Sequence, residues 1–206
     1  MEQTESQYPG LHPEPFQDLN SINLPLVTLN GPWFRVHQSQ HHPIYFGTSG
    51  RNRFDAPAQE YGILYIGVDD CCAFRESIGR LTKYRIVTKT LLQGRRISEI
   101  TANRPLNLVD LTGEGLTKID ADGRLGTGDY GVAQRWALAL RNHPQKPDGL
   151  YYRSRHDPSR YCLGLYDHLE VELSVTIQYD FLADSFKGRL ANILNVYEYG
   201  YVEDYL

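Results

Sequence analysis

Residues 62–68 read Gly-Ile-Leu-Tyr-Ile-Gly-Val, which puts Ile63, Tyr65 and Gly67 on one face of a strand and Leu64, Ile66 and Val68 on the other. A strand that is apolar on both faces cannot lie at a wet surface. It has to run through a sheet that is covered on both sides. Asp69 and Asp70 follow at once as helix-capping residues, and Phe74, Ile78 and Leu81 recur at helical spacing, so a helix is predicted from there to about residue 81. The chain is thereby committed to a core in which a buried sheet and a helix are direct sequence neighbours.

The other strands predicted from composition and alternation are residues 33–37, 84–91, 106–111, 149–153, 161–166 and 171–181. The last alternates Val171, Leu173, Val175, Ile177 and Tyr179 against polar residues, which predicts one wet face. Residues 113–131 are rich in Gly and Asp and read as loop. Asp129 can cap a helix over residues 130–142 that Pro144 stops, and Asp184 can cap a final helix over residues 185–197. Strands predominate and helices intervene irregularly, so the expected class is α+β. With 206 residues, 41% of them hydrophobic, and no internal linker or repeat, residues 26–206 are expected to form one domain. Residues 1–25 carry Pro9, Pro13, Pro15 and Pro25 without apolar periodicity, and are expected to form an extended arm.

Charge and motif content exclude several functions. A net charge of −4 with mixed signs argues against direct nucleic-acid binding. The N-terminus has no basic stretch leading into an apolar one, and no run is long enough to cross a bilayer; a cytoplasmic location and no membrane contact are expected. Cys71, Cys72 and Cys162 suit neither a disulfide framework nor a CxxC metal site, and read as reduced, buried residues. Gly126, Gly128 and Gly131 spell Gly-Thr-Gly-Asp-Tyr-Gly, but no hydrophobic strand precedes them as a dinucleotide fingerprint requires. Asp120 and Asp122 suggest a calcium loop, but its twelfth position is Gly131, not a bidentate carboxylate. His41 and His42 lack a third ligand at a suitable spacing, and no Gly-x-Ser-x-Gly elbow is present, so no metal site or serine nucleophile is expected.

Between residues 35 and 76 the chain places charges inside or beside apolar segments: Arg35 in Trp33-Phe34-Arg35-Val36, Arg53 before Phe54, and Glu76 on the helix after the buried strand. Buried charge is costly unless it is paired. Each residue alone also has a plain reading: an edge-strand arginine, a core tyrosine at Tyr65, a solvated Glu76–Arg80 pair at i,i+4.

Their order, together with a block far downstream, resembles the RES-domain family. The resemblance runs from about residue 33 to 167. It is carried by Phe34-Arg35-Val36, the turn Gly50-Arg51-Asn52-Arg53-Phe54, Leu64-Tyr65, Ala73-Phe74-Arg75-Glu76, Thr127-Gly128-Asp129-Tyr130, Gln134-Arg135-Trp136-Ala137, Asp148-Gly149-Leu150-Tyr151-Tyr152-Arg153-Ser154-Arg155 and Leu163-Gly164-Leu165-Tyr166-Asp167. The literal string Arg75-Glu76-Ser77 is a coincidence of spelling; by position the family's Arg is Arg35, with Arg51 or Arg53 as a second, its Glu is Glu76 and its Ser is Ser154. Asn52 stands where the family has a glycine.

The resemblance implies a single domain with an ADP-ribosyltransferase-like mixed β core and a few flanking helices. It also implies an enzyme that takes NAD+ as substrate and cleaves the nicotinamide–ribose bond, as glycohydrolase or phosphorylase. Such proteins are commonly toxins held by a helix-turn-helix (Xre-like) antitoxin. The implied catalytic residues are Glu76, Arg35 and Tyr65, and the implied NAD+-binding residues are Arg35, Arg53, Tyr65 and Ser154. The residue types agree with that chemistry. A carboxylate stabilises oxocarbenium character on the ribose, paired arginines grip a pyrophosphate, tyrosine can stack on nicotinamide, and serine can donate to a ribose or amide oxygen. No metal is needed, because nicotinamide leaves as a neutral base. Transfer of ADP-ribose to a macromolecule and a silent NAD-binding module are the alternatives.

Overall fold

In the computed structural model, which describes residues 12–82 and 84–203, a 3-10 turn (Leu19–Ser21) leads into β1 (Leu26–Leu29), β2 (Trp33–Gln38), β3 (Ile63–Gly67) and α1 (Asp70–Phe74). Next come β4 (Ile86–Thr88), α2 (Lys89–Gln93), β5 (Arg95–Ala102), β6 (Leu106–Asp110), α3 (Gly113–Lys118), α4 (Arg124–Thr127) and α5 (Tyr130–Arg141). The chain then forms β7 (Gly149–Arg153), β8 (Tyr161–Tyr166), β9 (Leu173–Asp180), α6 (Lys187–Val196) and β10 (Gly200–Val202). It is a single-domain mixed fold with one large sheet and short flanking helices. The part of the predicted arm before residue 12 lies outside the described residues. From Pro13 to Leu24 the chain lies along α5, where Trp136 Nε1 donates to the Pro13 carbonyl at 2.8 Å and Leu19 and Leu24 are buried.

Eight strands form one sheet in the order β1-β6-β7-β8-β3-β2-β5-β9, with β6 and β7 parallel and every other pair antiparallel. β3 lies inside it between β8 and β2, as a strand buried on both faces must. The sheet has to curl. β5 and β6 are five positions apart in this order, about 24 Å if the sheet were flat, yet residues 103–105 alone join them, a link of at most about 14 Å. Curling wraps one face around an interior of strand side chains, with Trp33, Leu64, Ile66, Ile100, Leu106 and Leu163 at its centre.

The other face carries the helices in two separate layers. α5 packs Trp136, Ala137 and Leu140 against Ile63, Val109 and Leu150. α1 and α6 pack Phe74 and Ile193 with Val36 of β2 and Ile97 of β5. Between the two layers part of the sheet is left without a helical cover. β4 and β10 form a small parallel pair of their own.

Asp69 caps α1 as expected, its carboxylate accepting from Cys72 N, and Asp129 caps α5 by accepting from Val132 N. The predicted helix to residue 81 instead widens after Phe74 into a π-type turn over Arg75–Gly79. The predicted strand 84–91 shortens to β4 because Thr88 caps α2, taking Leu91 N on its hydroxyl. The predicted loop 113–131 contains α3 and α4, which anchor through buried Ile119 and Leu125. β1, β5 and β10 have no counterpart among the predicted strands. β9 starts at Leu173; Val171 is 91% exposed and Ile177 43%, because β9 is the sheet edge and its inward face is only partly covered. α6 starts at Lys187 with no side-chain cap, and Asp184 contributes its carbonyl instead of its carboxylate.

Candidate active site

A cavity of about 310 Å³ opens in the uncovered part of the sheet, within the size range of small-molecule sites. Its floor is built by Phe34 and Arg35 of β2, Tyr65 and Gly67 of β3, Cys162 of β8 and Tyr152 of β7. One wall is the α1 side, with Ala73, Glu76 and Arg80, and the other is formed by Arg53, Gly126 and Tyr130. Gly67 makes the first wall possible: a Cβ there would sit 2.7 Å from Ala73 N and 3.0 Å from Cys72 Cβ, so only glycine allows α1 so close to β3.

Arg35 alternates along β2 with Phe34 and Val36, so its side chain leaves the opposite face of the sheet, where Nη1 donates to the carbonyls of Pro43 and Tyr45; contrary to expectation, its guanidinium does not enter the cavity. Burial lowers its pKa to about 10, which leaves it charged at neutral pH. Arg53 is 8% exposed. Its Nη1 donates to the Gly128 carbonyl at 2.9 Å and more weakly to Leu125, its guanidinium lies 4.4 Å from the centre of the Tyr130 ring, and its Nη2 is buried with no partner among the described residues. A buried guanidinium nitrogen left unpaired is poised for an acceptor from outside the protein. Arg51, two residues earlier, is exposed and does not line the cavity.

The turn that presents Arg53 is organised by Asp55, a residue the sequence reading overlooked. Its fully buried carboxylate accepts from Ser49 Oγ at 2.9 Å, from the backbone N–H groups of Arg51 and Asn52 at 3.1 Å each, from Asn52 Nδ2 and from Tyr65. Short acids in polar turns commonly bond local backbone N–H groups, which was the available signal. The Tyr65 hydroxyl donates to Asp55 Oδ1 at 2.9 Å and accepts from Phe54 N at 3.0 Å. Burial, and then the Asp55 charge, push its pKa well above the usual tyrosine value, so it stays a neutral phenol.

Glu76 sits in the π-type turn and is the sole carboxylate among the cavity-lining residues, which include Arg53, Arg80 and Arg155. The solvated pairing with Arg80 is not formed. The Ser154 hydroxyl donates to Glu76 Oε1 and the His156 N–H approaches the same oxygen at 3.4 Å, while Oε2 has no protein partner among the described residues. Ser154, 2% exposed, stands behind Glu76, and its oxygen accepts from the N–H groups of Asp157 at 2.9 Å and His156 at 3.2 Å. That pattern orients the hydroxyl proton toward the carboxylate. Of the five predicted residues, Arg53, Tyr65 and Glu76 therefore share one cavity, Ser154 holds Glu76, and Arg35 meets the cavity only along the β2 backbone. Tyr130, Tyr152 and Arg155, to which the resemblance assigns no role, also line the cavity.

The segments set aside on sequence grounds acquire structural readings. The Gly126–Gly128 loop turns backbone carbonyls, not N–H groups, toward the Arg53 guanidinium, the reverse of a phosphate cradle. Asp69, Asp70 and Cys71 bring possible metal ligands within 4.8 Å, but Asp69 caps α1 and pairs with Arg160, and Asp70 pairs with Arg189 at 2.9 Å. The three cysteines are free and buried, with Cys72 and Cys162 sulfurs 3.4 Å apart. No helix among the described residues is long and apolar enough to cross a membrane.

Comparisons with known proteins bear on this arrangement. No curated protein matches the sequence. The fold is similar to a chain in the crystal structure of the M. tuberculosis MbcT-MbcA toxin-antitoxin complex, with a TM-score of 0.60 at 13% sequence identity, covering 81% of this chain and 92% of that one. The model of the RES domain matches residues 32–184, a span that holds every cavity residue described above, and the chain therefore belongs to the RES domain family.

Proposed function

We propose that the cavity binds NAD+ and that the protein cleaves its nicotinamide–ribose bond, releasing neutral nicotinamide and passing the ribosyl carbon to water or phosphate. The observation that carries this reading is Glu76: a lone carboxylate, held by Ser154 on one oxygen and open on the other, facing a cavity whose other charges are cationic. As the bond breaks, its electron pair stays on the pyridine nitrogen and positive charge grows on the ribose. A fixed carboxylate stabilises that charge most in the transition state, which is where stabilisation raises rate. In this reading Glu76 Oε2, without a protein partner among the described residues, holds the ribose hydroxyls. Arg53, which spends its protein hydrogen bonds on neutral carbonyls, keeps full charge for the pyrophosphate. Tyr65 contributes a neutral aromatic surface to the cavity floor for the nicotinamide ring.

Family membership and the likeness to a chain in a toxin–antitoxin complex support a role as a toxin with an antitoxin partner; a cytoplasmic location and an antitoxin of helix-turn-helix type are part of the proposal. Incubating the pure protein with NAD+, with and without phosphate, and measuring free nicotinamide tests the activity. Release in either buffer, lost in Glu76→Gln, is the expected result. No release in both refutes it. Expression that arrests growth, relieved by the same substitution, tests the biological role.

A further inference from the structure

Tyr130 is the first residue of α5 and 38% exposed, a position where a large aromatic ring gains little from burial. Its contacts nevertheless tie the two walls of the cavity together. The ring lies 4.4 Å from the Arg53 guanidinium, and its hydroxyl accepts from Arg155 Nη1 at 3.3 Å. Arg155 directly follows Ser154, the residue that holds Glu76. A continuous path, Glu76–Ser154–Arg155–Tyr130–Arg53, thus spans the cavity, with Tyr130 its member between the two arginines.

We infer that Tyr130 is a positioning residue for Arg53, and that it acts mainly through the face of its ring. The Gly128 and Leu125 carbonyls hold Nη1 only. One edge contact leaves the guanidinium plane free to rotate about its stem. The Tyr130 ring against the guanidinium restrains that rotation, and with it the direction of the unpartnered Nη2. An arginine fixed before ligand arrives gives up less conformational freedom on binding, so the benefit falls on substrate affinity. The Arg155 hydrogen bond, long and at the exposed rim, is secondary. This inference rests on the reading that the cavity binds NAD+.

The test uses Tyr130→Phe, Tyr130→Leu, Arg53→Ala and the Arg53→Ala/Tyr130→Leu double variant of the full chain. KM and kcat for nicotinamide release are read alongside NAD+ affinity by calorimetry. Tyr130→Leu is expected to raise KM and weaken affinity roughly tenfold, the scale of one partly desolvated cation–π contact, with kcat altered less than about threefold. Tyr130→Phe keeps the ring and is expected to restore affinity to within about threefold of the parent. In the Arg53→Ala background the Tyr130→Leu cost should largely vanish, because nothing is left to position. Additive costs in the double variant, or a Phe variant as impaired as the Leu variant, overturn the inference while leaving NAD+ cleavage standing. A parent protein that neither binds nor cleaves NAD+ overturns the underlying reading and this inference with it. Melting temperatures of all four variants separate these outcomes from misfolding.

Discussion

Replacing Tyr65 by Phe removes one oxygen atom and should cost stability on the order of 2–4 kcal/mol. The hydroxyl serves two buried groups: it donates to the Asp55 carboxylate at 2.9 Å and accepts from Phe54 N at 3.0 Å. A hydrogen bond to a charged acceptor contributes about 1.5–3 kcal/mol, and orphaning a buried backbone N–H costs about 1–3 kcal/mol. The two do not add fully, since Asp55 keeps its donors from Ser49, Arg51 and Asn52. Urea unfolding followed by tryptophan fluorescence measures the difference directly, with an unchanged m-value as the control for two-state behaviour. For a chain of 206 residues the same loss lowers Tm by about 4–16 °C. Because Asp55 sets the turn that presents Arg53, the surviving folded fraction should also bind NAD+ more weakly, whereas a purely aromatic role for Tyr65 would leave affinity intact. A stability loss below about 0.5 kcal/mol, within the range of inconsequential surface changes, would refute the claim that this hydroxyl organises the turn.

Three further outcomes follow from the geometry. Glu76→Gln keeps the side-chain shape but removes the charge, so nicotinamide release should fall by about a hundredfold or more while NAD+ affinity measured by calorimetry changes far less. Gly67→Ala forces a methyl against Ala73 N at 2.7 Å, and overpacking of this kind should cost about 1–3 kcal/mol in thermal or urea unfolding. Asp148 is 4% exposed. Burial alone would raise its pKa, but Arg104, bonded to both its oxygens, and then His168 outweigh that and hold the value well below the usual carboxylate range. A depressed folded pKa contributes stability that is present above the unfolded value near 3.9 and is lost as pH falls below it. The urea midpoint should therefore drop below about pH 4. In Arg104→Ala, which leaves the buried carboxylate with only the Asn107 N–H and His168, stability at neutral pH should fall by about 1–3 kcal/mol, the half-exposed arginine being partly screened by solvent, and this acid slope should flatten.

The parts of the fold legible in the sequence are those whose burial follows a simple period. β3, β7, β8 and α5 stand within a residue or two of their predicted bounds because each presents an uninterrupted apolar face and, for α5, a capping aspartate. β5 escaped notice for a physical reason. It carries Arg95, Arg96 and Glu99, and its two fully buried isoleucines face opposite sides of the sheet, Ile97 toward the helices and Ile100 toward the curled interior, so no single apolar face marks it in the sequence. Its charges are tolerated because Asp180 and Arg189 pair with Arg96 and Glu99 from β9 and α6. α3 and α4 were hidden by glycines and aspartates that disfavour isolated helix, and they persist because Ile119 and Leu125 are buried under them.

The sequence by itself determined which residue types were available for the chemistry and the order in which they came: Arg35, Arg53, Tyr65, Glu76, then Ser154. Local rules also placed Glu76 on the segment after a buried strand. They could not say that this segment loosens into a π-type turn, that Arg53 and not Arg51 is turned inward, or that Ser154 donates to Glu76 across 78 residues of chain. Period and capping act over a few residues, and reveal the face and ends of an element. Which strands become neighbours is settled by closing one curled sheet around its core, and here that closure sets β7 and β8 beside β3 and brings Ser154 to Glu76.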